Sequence, residues 1–185
     1  MPRSMYFIDG ENLTFRFQEM VKEGRQPLSE VIHEQDVFVW HPEMIGRPRE
    51  TVVRVLYYTS AVGDDDRILS FQEKLHSQRY SYIDDDRESL GKVVPRVFKK
   101  HAKSKKTKTV DINITTDLLT HVFNRSLDKI YLYSGDIDFE PVIRFAMAQG
   151  IQVGIRALSS GLAQEMRILS DAFEPLDFAL FEPFT

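Results

Sequence analysis

The chain has 185 residues, of which 42% are hydrophobic and 28% are charged, and its formal net charge is −4. This is the composition of an ordinary globular protein, and the length suits one domain better than two. No apolar run approaches the roughly 20 residues that a membrane span needs, so we expect no membrane association. The absence of cysteine excludes disulfides and thiolate metal sites. Because the first residues do not resemble a secretory signal, we expect residues 1–185 to form a single cytoplasmic domain.

The first half of the chain alternates between strand and helix patterns. A buried strand is predicted at 5–8. The segment 15–50 that follows is long for a strand-to-strand connection, and we interpret it as an inserted helix and hairpin. β-Branched and aromatic residues predict the next strand at 52–58. A helix is predicted after the acidic residues 64–66, and a short strand at 80–83.

The second half continues the alternation, with strands predicted at 130–133 and 151–155 and a helix from Pro141 to Met147 between them. Another helix is predicted to begin near Asp111, with a buried side formed by Ile112, Leu119 and Val122. The last helix is expected to bury Leu162, Met166, Leu169 and Phe173. Strands that alternate with helices indicate an α/β fold, a Rossmann-like three-layer sandwich around a mainly parallel sheet of about five strands.

Positive charge is concentrated in one segment, because residues 91–108 contain eight lysines and arginines and no acidic residue. A local strip of this kind can bind the phosphates of a polyanion even when the net charge of the protein is negative. The alternative is a solvated loop or helix face. The candidate phosphate-binding residues are Lys99, Lys100, Lys103, Lys105, Lys106 and Lys108.

Aspartates directly follow two of the predicted strands. Asp9 ends the first strand, and Asp136 and Asp138 follow the strand at 130–133. In an open parallel sheet, ligands bind outside the carboxyl ends of the strands, so these carboxylates can converge. Two carboxylates about 6 Å apart repel each other by roughly 3 kcal/mol, which favours a bound cation. Oxygen ligands suit Mg²⁺ or Mn²⁺, and a phosphate ester is the substrate class that such a site suggests, although acidic turns and helix caps also use aspartate.

Further polar residues can support this cluster. Asp111 and Asp117 are six residues apart, which places them about 120° apart around a helix and about 9 Å apart along it. They cannot both bind one ion squarely, and Asp111, at the helix start, is the better ligand candidate. Asp117 could hold a water molecule or be merely solvated. Asn12 could fix Asp9 in place or bind the ion through its amide.

Three motifs in this order resemble the NYN domains, LabA-like members of the PIN-like nuclease superfamily. They are Asp9-Gly-Glu-Asn12, Lys108-Thr-Val-Asp111 with Asp117, and Ser134-Gly-Asp136-Ile-Asp138-Phe139. The resemblance implies a PIN-like sandwich that hydrolyses RNA, as an endoribonuclease, with Mg²⁺ or Mn²⁺. It also implies that Asp9, Asp111, Asp136 and Asp138 form the metal site. Asn12, Asp117 and Ser134 are then supporting positions.

Other interpretations remain open at this point. A Toprim or haloacid-dehalogenase-like phosphoesterase also places acidic residues after parallel strands. A regulatory module could keep the fold and bind RNA, with single-stranded RNA favoured, or a protein partner without turnover. The segment 15–50, with its apolar run 37–40, could form a homodimer or partner surface.

Overall fold

The computed structural model describes residues 1–100 and 108–183. The strands are β1 (Arg3–Asp9), β2 (Ile32–Glu34), β3 (Phe38–Trp40), β4 (Thr51–Val62), β5 (Arg79–Asp84), β6 (Arg87–Lys100), β7 (Lys129–Tyr133), β8 (Gln152–Ala157) and β9 (Ala172–Pro175). The helices are α1 (Gly10–Lys22), α2 (Asp65–His76), α3 (Thr109–Phe123), α4 (Glu140–Ala148), α5 (Gln164–Leu169) and α6 (Asp177–Leu180). Short 3₁₀ turns lie at Pro42–Met44 and Ile137–Phe139.

Seven strands form one twisted sheet in the order β5-β6-β4-β1-β7-β8-β9. Neighbouring strands are parallel except β5 and β6, which are antiparallel. β1 is central because it is apolar on both faces: Met5 and Phe7 enter one core, and Tyr6 and Ile8 enter the other. The predicted α/β fold with a mainly parallel sheet is confirmed, with seven strands rather than about five.

Helices and a hairpin cover the two faces of the sheet. On one face, α1, α2, α6 and the β2–β3 hairpin form a core with the sheet. On the other face, α3, α4 and α5 do the same. Because β4, β1 and β7 are parallel neighbours, their carboxyl ends open at one edge of the sheet, where the segments after them meet.

Two strands were not predicted from the sequence. β6 extends into the basic segment, where Val93 and Val97 are buried while Arg96 and Lys99 are exposed, so its polar residues mask the strand pattern. β9 is a short strand that stands last in the strand order, beside β8. Phe173 was predicted to lie on the same helix as Met166 and Leu169. It lies in β9 instead, because that helix, α5, ends at Leu169.

The segment 15–50 contains most of α1 and the β2–β3 hairpin. The hairpin packs on the sheet, where the Tyr57 hydroxyl donates to the Val39 carbonyl at 2.9 Å and accepts from its amide at 3.2 Å. Residues 37–40 are between 0% and 6% exposed. This run therefore belongs to the core of its own chain and offers no surface to a partner, whereas a homodimer or partner surface formed by other residues of 15–50 stays a prediction. That 15–50 is an insertion, and that 1–185 is one domain, stay predictions.

The buried side of α3 differs from the predicted one. Its buried residues are Val110, Ile114, Leu118 and Val122. Ile112 and Leu119, which were predicted to be buried, are 60% and 37% exposed. The prediction was wrong because α3 carries apolar residues on two faces, and spacing alone does not tell which face packs on the sheet.

No helix within residues 1–100 and 108–183 is long and apolar enough to cross a membrane.

Candidate active site

Asp9 lies where β1 becomes α1. It is only 2% exposed, and its Oδ1 atom caps α1 by accepting a 3.0 Å hydrogen bond from the backbone amide of Asn12. The helix starts this close to the sheet because residue 10 is glycine. A Cβ atom at Gly10 would lie 2.2 Å from the Tyr57 ring and 2.7 Å from the Tyr58 carbonyl oxygen. The turn therefore holds the Asp9 carboxylate at the carboxyl edge of the sheet.

Ser134 connects Asp9 to the loop after β7. Its hydroxyl donates a 2.9 Å hydrogen bond to Asp9 Oδ2 and accepts one of 3.2 Å from the Asp136 amide. Asp136 in turn caps the following 3₁₀ turn, since its Oδ1 atom accepts from the Asp138 amide at 3.0 Å. The structure thus brings Asp9, Ser134 and Asp136 together across the central strand pair, whereas Asp138 is exposed at the outer side.

Burial dominates the electrostatics of Asp9. It raises the pKa of Asp9 to about 7, and hydrogen bonds from the Asn12 amide and Ser134 oppose this effect. The negative charges of Asp111 and Glu11 raise the pKa further, so both carboxylates act on Asp9. The site therefore gathers like charges around a buried carboxyl group.

Glu11 is a site residue that the sequence reasoning left out. It lies in the first turn of α1, and its Oε1 atom accepts a hydrogen bond from the Ser60 hydroxyl and lies 3.6 Å from Lys100 Nζ. Its position two residues after Asp9 was the available signal. Residues two apart share a face in a strand but not in a helix, so this spacing alone does not place Glu11 beside Asp9.

Asp117 connects α3 to the sheet. Its Oδ2 atom accepts a 2.7 Å hydrogen bond from the Tyr58 hydroxyl. Burial and this contact with a carboxylate together raise the pKa of Tyr58. Tyr58 is the register partner of Asp9 in the β1–β4 pairing. Asp117 thus supports the position of α3, and of Asp111 in its first turn, at the level of the site.

Comparison with known proteins identifies the family of this chain. A family model of the NYN domain matches residues 3–177, which is nearly the whole chain. The chain belongs to the NYN domain family. It is therefore a member of the PIN-like superfamily and nuclease-like in kind, and the predicted resemblance is confirmed.

Structure comparison supports the fold of this NYN domain. A crystal structure of a protein of unknown function from Vibrio parahaemolyticus RIMD 2210633 is similar with a TM-score of 0.66 and 15% identity. The alignment covers 98% of this chain and 96% of that chain. A comparison with curated proteins gives no match. At this identity the structural likeness concerns the fold alone.

Three of the six predicted phosphate-binding lysines of the NYN domain lie in its described part. Lys99 and Lys100 end β6, and Lys108 directly precedes α3. Lys99 Nζ lies 2.7 Å from Asp65, and Lys108 Nζ lies 3.6 Å from Asp138 Oδ2. Lys100 and Lys108 therefore place cations beside acidic residues of the site, whereas Lys99 pairs with a residue of α2. The other three, Lys103, Lys105 and Lys106, lie outside the described residues.

The donor set of this NYN domain suits a hard divalent cation. The four candidate aspartates offer carboxylate oxygens, and the side chain of Asn12 adds an amide oxygen; Mg²⁺ and Mn²⁺ prefer oxygen ligands of this kind. A cation would also relieve the repulsion that Asp111 and Glu11 exert on buried Asp9. In residues 1–100 and 108–183, however, no group of three or more histidine and acidic side chains is arranged so that it could hold an ion. The metal site therefore stays a prediction, and binding would require these side chains to draw together.

Proposed function

We propose that this NYN domain is a ribonuclease that uses Mg²⁺ or Mn²⁺ to hydrolyse phosphodiester bonds in single-stranded RNA. The observation that carries the proposal is the link from Asp9 through Ser134 to Asp136 at the carboxyl edge of the sheet. It joins two acidic residues from neighbouring parallel strands where α/β proteins bind their ligands. Membership of a nuclease-like family supports the same conclusion.

The acidic residues would divide the chemistry between them. Asp9, Asp111 and Asp136 would hold a divalent ion, with Asp138 at its outer side. Such an ion neutralises charge on the scissile phosphate and lowers the pKa of a bound water molecule. Ser134 would orient the Asp9 carboxylate and hold it close to the backbone amide of Asp136. Asp138, which is exposed, would orient the attacking water.

The lysines at the edge of the site would bind the substrate backbone. Lys100 and Lys108 already contact Glu11 and Asp138 at 3.6 Å, so phosphates bound to them would lie next to the acidic residues. Each such contact would displace counterions and make binding depend on salt. Phosphate contacts position a strand but do not read its bases, so we expect little sequence preference from this side.

Phe15 and Arg16 would form the opposite side of the substrate site. Phe15, on α1, is 56% exposed, and the Arg16 guanidinium lies 5.2 Å from the centre of its ring. Arg16 packs on Gly161, where a Cβ atom would lie 2.0 Å from Arg16 Cζ. The Gly161 carbonyl in turn approaches Gly135, next to Ser134. This aromatic side chain is therefore well placed to stack on an unpaired base near the site.

Cleavage assays with one matched pair of variants test the proposal. Labelled single-stranded RNA and DNA of equal length are incubated with Mg²⁺, with Mn²⁺ or with EDTA. We expect metal-dependent cleavage of RNA that is lost in Asp136→Asn. The control Asp86→Asn makes the same chemical change in the exposed β5–β6 turn and should keep full activity.

Three outcomes would contradict the proposal. Cleavage by Asp136→Asn at the rate of the parent protein would exclude the assigned site. Cleavage of DNA but not of RNA would exclude the assigned substrate. Metal-dependent RNA binding without any product would instead indicate a regulatory binding module built on the nuclease fold.

A further inference from the structure

Helix α3 carries a second apolar stripe on the side that faces away from the sheet. Ile112, Leu119 and Phe123 are 60%, 37% and 81% exposed. Together with Thr116 they repeat at positions i, i+4, i+7 and i+11. This is the alternating spacing of four and three with which a helix packs against another helix. Phe145 of α4 borders the same surface, where Leu119, Phe123 and Phe145 line a groove of about 400 Å³.

This outer face of α3 is uncharged. Its exposed residues between positions 112 and 124 are Ile112, Thr116, Leu119, Thr120, Phe123 and Asn124. Charged residues make up 28% of the whole chain, so a helix face without any of them stands out. Depletion of charge marks the centre of protein–protein interfaces. Such a face also offers no complementary charge to nucleic acid or to an acidic or basic peptide.

The two threonines of this face already have hydrogen-bond partners inside the helix. Thr116 Oγ1 donates to the Ile112 carbonyl and Thr120 Oγ1 donates to the Thr116 carbonyl, both at 2.8 Å. Asn113 Nδ2 donates to the Thr109 carbonyl at the same distance. The face can lose its water without leaving these donors unpaired, which removes a main cost of burying polar residues in an interface.

The exposed apolar area is comparable to the largest patch that a typical monomer carries, and such patches often serve a function. Large apolar side chains have a surface of about 150–250 Å² each. At their exposed fractions, Ile112, Leu119, Phe123 and Phe145 together expose roughly 400 Å². A stable dimer buries about 800 Å² on each partner. The remaining threonine and asparagine surface of α3, with the adjoining part of α4, can supply the difference. The charged pair Arg144–Glu140 on α4 would then lie in a polar rim.

We propose that this outer face of α3 is a homodimer interface, in which the α3 helices of two copies pack antiparallel about a two-fold axis midway between Thr116 and Leu119. An isologous interface sets one face against itself, so a charged face would repel its own copy and an uncharged one does not. Antiparallel packing also opposes the two helix dipoles. Ile112 of one copy then faces Phe123 of the second copy. The inference does not depend on the proposed catalytic activity.

Sedimentation analysis of the full chain over a range of micromolar concentrations tests this interface. The parent protein should be a dimer that dissociates on dilution. Phe123→Glu would bury an unpaired carboxylate against Ile112 of the second copy, so this variant should be a monomer at every concentration. Because Phe123 is 81% exposed, this variant should keep the melting temperature of the isolated fold. The control Phe178→Glu alters an equally large phenylalanine, 62% exposed on α6, and should remain dimeric.

A cysteine cross-link identifies the contacting face directly, since the chain contains no cysteine of its own. Leu119→Cys should be joined into dimers by a short bis-maleimide, and Phe178→Cys should not. A parent protein that stays monomeric at high micromolar concentration would overturn the proposal. So would a dimer that survives Phe123→Glu, or one that cross-links through residue 178 and not through residue 119.

Discussion

The Ser134 hydroxyl donates a hydrogen bond of 2.9 Å to Asp9 Oδ2 and so joins the carboxyl ends of the two central parallel strands. The same oxygen accepts from the Asp136 amide. One side chain thereby sets the spacing of two acidic residues that are 127 positions apart in the sequence. The predictions below follow from this connection and from the groups around it.

Replacing Ser134 should weaken metal binding more than it weakens the fold. Without the hydroxyl, Asp9 Oδ2 and the Asp136 amide lose the partner that orients them. Residues that orient metal ligands typically change affinity or activity by about 10- to 100-fold when they are mutated. We therefore expect Ser134→Ala to shift the Mg²⁺ dependence of RNA cleavage to higher concentration by roughly this factor. Ser170→Ala, which removes a hydroxyl outside the site, is the control, and equal Mg²⁺ dependence of the two variants would contradict the role of Ser134.

The stability of the metal-free protein should fall as the pH rises from about 4 to about 7. The pKa of Asp9 in the folded state, about 7, is above its unfolded value of 3.8, so the folded state binds more protons in this interval. Deprotonation of the buried carboxyl group therefore costs stability, by about 4 kcal/mol at most across the interval. Asp9→Asn should flatten this slope and be more stable than the parent at pH 8.

Urea unfolding in EDTA at several pH values measures this effect. Other groups titrate as well, so the informative quantity is the difference in slope between the parent protein and Asp9→Asn. Saturating Mg²⁺ at pH 8 should restore stability to the parent protein and not to the variant. Parallel pH profiles of the two proteins would show that Asp9 is not the buried acid described above.

Tyr58 and Asp117 should contribute to stability and not to metal affinity. Tyr58→Phe leaves the Asp117 carboxylate without the hydroxyl that now lies 2.7 Å away. Losing one partner of such a hydrogen bond typically costs about 1–3 kcal/mol. We expect a decrease of about this size in the free energy of unfolding, with Mn²⁺ affinity unchanged. A variant of normal stability with weakened Mn²⁺ binding would place Asp117 among the metal ligands instead.

Phe15 should contribute to RNA binding through stacking alone. Binding is measured with Asp136→Asn as background, so that no substrate is consumed. Phe15→Ala should weaken binding of single-stranded RNA by about 5- to 100-fold, which corresponds to one lost base stack. It should leave binding of an abasic oligonucleotide of the same length unchanged, because the phosphates are still present. Phe178→Ala is the control, and equal losses for both oligonucleotides would exclude stacking.

Much of the acidic site could be predicted from local sequence. Asp9 and Asp136 follow short apolar strands directly, and parallel strands must deliver such residues to one edge of the sheet. The link through Ser134 could not be predicted, because it depends on how far β1 and β7 are offset from each other along the strand direction, to within about an ångström. The position of Glu11 near Asp9 depends on α1 starting at Gly10. The Tyr57 ring approaches this residue so closely that only glycine fits there.

The errors in the fold have equally local causes. The strand β6 carries exposed charges between its buried residues Val93 and Val97, so it resembled a basic loop. The helix α3 was assigned the wrong buried side because its two apolar stripes have similar spacing. Only the packing against β1 and β4 decides that Ile114 faces the sheet and that Ile112 faces outward.

Direct Mn²⁺ binding, followed by the loss of the electron paramagnetic resonance signal of the free ion, tests the central claim of a carboxylate metal site. The parent protein and Asp86→Asn should bind Mn²⁺ equally, and Asp9→Asn and Asp136→Asn should each lose that binding while remaining folded. Equal binding by all four proteins would contradict the claim, because the ion would then be held elsewhere than between Asp9 and Asp136.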